Sequence, residues 1–198
     1  PSGAAVSPQT PFLIGSVTKS FTALAVMQLV EAGQVDLDAA VQTYLPWFRV
    51  ADAAASTRIT VRHLLNQTSG IPNGAGLMPL LGDGRRTLEE AVRAMADVVL
   101  NRPAGTAFEY SNANYIVLGL IVEVASGQPY AEYLRQHILT PLEMSNSYTA
   151  QAEAQSEGMA GGYRWWFGFP VAAEMPYPAD ALPAGYLISS AEDMAHYL

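Results

Sequence analysis

The sequence predicts a mostly α-helical chain carrying few strands, on three observations. Apolar residues recur at helical spacing through most of its length, start and stop signals bracket those stretches, and alternating strand-like runs are scarce. Residues 16–33 read as the first helix: Phe21, Leu24, Ala25 and Leu29 share a face, Gly33 is a natural stop, and Ser16 stands at the start. Residues 36–44 read as a short helix broken by Pro46. Thr60 caps another through Gln67, ahead of the Thr68-Ser69-Gly70 turn, and a Gly-rich loop follows over 71–84. Thr87 and Glu90 have the spacing of a capping box and predict a helix to about residue 100, where Asn101-Arg102-Pro103 ends it. Residues 112–126 form the next helix, apolar on most of its surface and therefore buried, with Gly127 closing it; 130–139 give one more before Pro141. Over 151–183 the pattern breaks into small, aromatic and Pro/Gly-rich residues, read as a long loop with short strands. Ser190 and Asp193 repeat the capping-box spacing at the head of a helix still running at Leu198.

A chain of 198 residues that is 50% hydrophobic can bury a sizeable core as a single domain. A net charge of -8 with no basic run argues against nucleic acid, whose phosphates need clustered Lys and Arg. The longest apolar stretch, 115–122, stops at Glu123, well short of the roughly twenty residues a membrane span needs. Residues 1–11 lack the basic start and apolar run of a secretion signal. The absence of cysteine removes disulfides, thiolate metal sites and a thiol nucleophile.

Of ten Lys and Arg residues nine are Arg, so Lys19 is the sole lysine, three positions after Ser16 on an apolar helix. Positions i and i+3 share a helix face, which brings a first-turn hydroxyl and an amine within hydrogen-bond reach. Arginine could not replace it, because a guanidinium stays protonated whereas a desolvated amine can release its proton. The helix N-terminus adds positive potential and free N–H groups for a developing oxyanion. The competing reading is a snorkelling lysine beside an N-capping serine. Other chemistries fit less well: Ile14 occupies the first glycine position of a G-x-S-x-G elbow, no Gly-Lys-Ser or Gly-Lys-Thr loop exists, and His63, His137 and His196 lack ligand spacing.

A second constellation, Tyr110-Ser111-Asn112, lies just before the buried helix. A tyrosine there could relay a proton between Ser16 and a leaving group if positive charge lowers its pKa, and Asn112 could hold a substrate amide or Lys19.

Together these blocks resemble the serine β-lactamase and penicillin-binding-protein family, especially its class C β-lactamase, D-alanyl-D-alanine carboxypeptidase and esterase branch. Residues 12–22 resemble the S-x-x-K motif with its flanks, Tyr110-Ser111-Asn112 the Y-x-N motif, and 59–70, 141–144 and 183–194 the linking and following blocks. The resemblance spans nearly the whole chain. It implies an α+β fold of the β-lactamase/transpeptidase type, of which this chain carries the helical part with few strands of the sheet. It also implies that Ser16 is the acyl-accepting nucleophile, Lys19 helps deprotonate it, Tyr110 is general base and acid, and Asn112 assists. The substrate would be a β-lactam, a D-amino-acid peptide or a small ester, the location periplasmic or extracellular, and the cofactors none, since a seryl ester mechanism needs neither metal nor organic group.

One departure stands out. No Lys-Thr-Gly or His-Thr-Gly follows Tyr110, so the strand that by resemblance supplies a second oxyanion N–H is missing, as are strands ahead of Ser16. Residues 1–198 are therefore expected to be one domain incomplete at both ends, its sheet finished by another segment or chain, with little turnover from the chain alone. The alternative is a catalytically silent binding or regulatory module of the same fold. The aromatic run Tyr163-Arg164-Trp165-Trp166-Phe167 reads equally as the lining of an acyl pocket or as core packing.

Overall fold

A computed structural model describes residues 5–75 and 86–198. The chain enters through strand β1 (Phe12–Leu13), makes a 3-10 turn over Gly15–Val17 and runs into helix α1 (Thr18–Glu31). The nucleophile candidate is thus in the turn that precedes the α-helix, slightly ahead of the helical start expected for it. Phe21, Thr22, Ala25, Val26 and Leu29 make the buried stripe of α1. Short helices α2 (Ala53–Ser56) and α3 (Val61–Leu65) follow. Helix α3 begins with a reciprocal cap: Thr60 Oγ1 accepts from the His63 N–H while His63 Nδ1 accepts from the Thr60 N–H.

The expected helix over 36–44 is reduced to a 3-10 turn at Val41–Thr43. The backbone there makes only isolated turns and also bonds to a neighbouring segment, through Val41 N to Ile59 O, Val61 N to Ala39 O and Arg62 N to Leu37 O. Most of the Gly-rich loop lies outside the described residues. Helix α4 (Leu88–Arg93) opens on the expected Thr87/Glu90 capping box but stops well before residue 100. Beyond it the chain closes tighter i to i−3 turns, and long-range partners take over: Ala51 N bonds Val98 O, and Asn101 N bonds Gly70 O.

Helix α5 (Asn112–Ser126) is the centre of the fold. Every residue from Ala113 to Val122 is buried, and Gly127, at φ 71°, ends it in the left-handed conformation. After it come α6 (Tyr130–Leu134), which continues as a π-helical turn over Arg135–Leu139, then α7 (Gln151–Ser156) and the hairpin β2 (Gly162–Trp166) and β3 (Phe169–Ala173). The chain finishes with α8 (Leu182–Gly185), β4 (Ile188–Ser189) and α9 (Ala191–Tyr197). Helix α5 packs against α1, α3, α4, α6 and α8.

Strand β4 pairs antiparallel with β1, matching Phe12 to Ser189 and Leu13 to Ile188, and Tyr148 adds a bridge to Ile188. At α9 the expected box is half formed. Ser190 Oγ accepts from the Asp193 N–H, but the Asp193 carboxylate turns away to accept from Asn146 N and Ser147 Oγ. The aromatic run is not core: in the β2–β3 hairpin Trp165, Phe167 and Phe169 are each more than 70% exposed. A left-handed turn at Phe167 and Gly168 projects them outward.

One close approach positions the site. A Cβ on Gly119 of α5 would lie 2.2 Å from Pro183 Cγ of α8, so only glycine lets these helices meet. Gly119→Ala is expected to cost about 1–3 kcal/mol through overpacking, read as a lowered urea midpoint with unchanged slope. A midpoint equal to the parent's would refute this account of the α5–α8 contact.

Candidate active site

Gly15, at φ 56°, turns the chain out of β1, and two bonds anchor the turn: Thr18 Oγ1 donates to Gly15 O and accepts from the Leu187 N–H. Ser16 is exposed at the mouth of this turn. Its N–H belongs to a first helical turn and has no intrahelical carbonyl to bond, which leaves it available to an incoming oxyanion.

Ser16 Oγ lies 2.6 Å from Tyr110 Oη and 3.3 Å from Lys19 Nζ. Lys19 is only 7% exposed. Its Nζ donates to Asn112 Oδ1 at 2.7 Å and to the Ala184 carbonyl of α8. Those two oxygens can only accept, so they take two of the amine's hydrogens and leave its remaining position facing Ser16 Oγ. A proton can pass between nitrogen and hydroxyl there. The Nζ also sits 4.9 Å from the centroid of the Tyr110 ring and 5.6 Å from that of Tyr115.

Tyr110 feels opposed influences. Partial burial pushes its phenol up, but hydrogen bonds with Lys19 and Ser16 and the positive charge of Lys19 together outweigh it, and the phenol falls below its ordinary value. Replacing Lys19 by methionine removes the bond and the charge but leaves the burial. The Tyr110 phenol should then titrate at higher pH than in the parent, measured as the phenolate absorbance lost in Tyr110→Phe. Equal titration with and without Lys19 would show that the amine does not tune this phenol.

All four residues expected at the site, Ser16, Lys19, Tyr110 and Asn112, therefore meet in one constellation. Three contributors were not anticipated. The Ala184 carbonyl is a main-chain group and has no sequence signature. Gln67, buried and at φ 58°, accepts with its Oε1 from Ser111 N and Asn114 Nδ2, while Ser69 Oγ donates to Asn114 Oδ1. Asn73 accepts from both the backbone and side-chain N–H groups of Asn112. Asn73 lies in the expected Gly-rich loop over 71–84, and its partner is 39 positions away. The three histidines are structural: His63 caps α3, His137 stacks on Tyr133 and His196 lies 3.1 Å from Leu142 O.

A model of the Beta-lactamase family matches residues 1–198. The chain belongs to the β-lactamase family. Among proteins similar to this β-lactamase-family chain is penicillin-binding protein 4 of Amycolatopsis lactamdurans, 38% identical over 98% of this chain and 51% of that protein. A solved octameric penicillin-binding protein homologue from Pyrococcus abyssi superimposes with a TM-score of 0.82 at 35% identity, over 96% of this chain and 44% of that one. A D-amino acid amidase from Ochrobactrum anthropi SV3 does so with a TM-score of 0.83 at 31% identity, over 99% and 56%. The β-lactamase-family chain spans about half the length of these proteins, and its fold is of the β-lactamase/transpeptidase type, represented by its helical part with few strands.

Proposed function

We propose that the protein is a serine hydrolase that transfers an acyl group to Ser16. The observation that carries this reading is the meeting of Ser16 Oγ with Tyr110 Oη and Lys19 Nζ at 2.6 and 3.3 Å. In the first step the Ser16 hydroxyl gives its proton to the Tyr110–Lys19 pair, Oγ bonds to the substrate carbonyl carbon, and the Ser16 N–H meets the developing oxyanion. The proton then passes to the departing nitrogen or oxygen, leaving a seryl ester. Water, deprotonated by the same pair, bonds to the acyl carbon, the bond to Oγ breaks, and the proton returns to Oγ as the acid is released. Asn112 holds Lys19 in place throughout, and no step needs a metal or organic cofactor.

The substrate we propose is a β-lactam, a D-amino-acid peptide or a small ester. Similarity to penicillin-binding proteins and to a D-amino acid amidase supports the first two. A ladder of two short strands beside so much helix supports completion of the sheet by a further segment or a second chain.

The other reading is a binding module of the same fold without chemistry. Mass spectrometry after incubation with a β-lactam or phosphonate separates the two. An adduct on Ser16 supports the hydrolase, and a folded full-length protein left unmodified supports the module.

A further inference from the structure

Lys19 can donate only to the oxygen end of the Asn112 amide, yet an amide has a donor end of nearly the same shape. A turned amide would set Nδ2 hydrogens against those of Nζ and leave the buried amine short of a partner. Helix α5 itself does not decide the matter: Ser111, at its N-cap position, makes no side-chain cap bond. The deciding contact comes from a different loop. Asn73 Oδ1 accepts from the Asn112 backbone N–H at 2.9 Å and from Asn112 Nδ2 at 3.0 Å. Both ends of the Asn112 amide are then committed, Nδ2 to Asn73 and Oδ1 to Lys19.

We infer that Asn73 is a positioning residue for the acyl-transfer site: by taking both N–H groups of Asn112 it fixes the amide with its oxygen toward Lys19, and so fixes the amine beside Ser16. The inference that the amine is held this way stands on geometry, and its kinetic consequence rests on the hydrolase reading above.

The role is separable from folding. Asn73 is exposed, and the turn that carries it is closed by main-chain bonding of Ala75 N to Pro72 O, while Ser111 Oγ also donates to Pro72 O. The buried part of the clamp is Gln67, which grips Ser111 and Asn114 without Asn73. Shortening the Asn73 side chain therefore leaves the loop anchored and frees the Asn112 amide to rotate.

The test has two arms, run on full-length protein with 15N-labelled lysine. The Lys19 Nζ resonance is identified by its loss in Lys19→Met, and acylation of Ser16 is followed with a chromogenic β-lactam or a nitrophenyl ester. In Asn73→Ala, and in Asn73→Ser, which keeps a turn-forming residue but falls short of Asn112, the Nζ resonance should broaden or shift. The acylation rate at saturation should drop about 10–100-fold, as for a misplacement near one ångström. Asn73→Asp keeps the acceptor and should restore both signals. An Nζ resonance and rate unchanged in the alanine and serine variants, or an aspartate variant as impaired as alanine, would overturn the inference. If the resonance responds as described while the parent protein never acylates, the positioning role stands and the hydrolase reading fails.

Discussion

In Ser16→Ala the acylation of the protein by a β-lactam or nitrophenyl ester should fall about 10⁴- to 10⁶-fold, the range seen when a nucleophile acting within a catalytic unit is removed. Ser16 is exposed, and its side-chain bonds run to Tyr110 and Lys19. Losing the hydroxyl leaves Lys19 with Asn112 Oδ1 and the Ala184 carbonyl as partners, so the melting temperature should scarcely move. The pairing of a large kinetic loss with a small thermal change is what distinguishes a nucleophile from a capping serine, whose removal would cost about 0.5–2 kcal/mol of stability and nothing in rate. The geometry already disfavours the cap: the turn Gly15–Val17 has no side-chain cap bond, and the hydroxyl points across to Tyr110. An alanine variant labelled as fast as its parent would remove Ser16 from the mechanism.

The second large effect is expected at Lys19, and it separates chemistry from charge. Lys19→Arg keeps a positive group on the same helix face but cannot give up a proton, and its planar fork does not fit a cage built for three tetrahedral contacts. Lys19→Met keeps the buried stem and removes the nitrogen. Both variants should lose about 10²- to 10⁴-fold in acylation, the usual weight of a positioned proton-transfer group. The methionine variant should also lose stability, about 1–3 kcal/mol, because the Ala184 carbonyl loses its Lys19 donor and Asn112 Oδ1 keeps only a long bond from the Tyr110 hydroxyl. Arginine restoring the rate to within tenfold of the parent would mean that Lys19 supplies only positive charge. Full activity in both variants would leave Tyr110 as the sole proton carrier.

Local grammar accounts for much of what could be read ahead of the structure. The Thr87/Glu90 and Thr60 caps, the buried helix from Asn112 and the stop at Gly127 each depend on residues within one or two turns of one another. Where reading went astray, distant backbone intervened. Helix α4 ends at Arg93 because residues 98 and 101 find hydrogen-bond partners at Ala51 and Gly70, and 36–44 stays irregular because 59–62 pairs with it. The Asp193 carboxylate leaves its own cap for Asn146 and Ser147, 47 and 46 positions away. None of these competitors leaves a periodic trace in the segment it alters.

The amino-acid order by itself determined the Ser16–Lys19 pair, since three residues on a helix set their separation whatever surrounds them, and it singled out Tyr110 and Asn112 as a motif. Tertiary structure alone decided that the two motifs share one centre. A contact 94 residues apart between Ser16 and Tyr110 exists because α1 and α5 pack side by side, and because Gly119 admits the α8 backbone that puts its Ala184 carbonyl over the amine. Local spacing is carried by covalent geometry, whereas the meeting of distant polar tips is carried by burial of apolar faces, which only the folded chain provides.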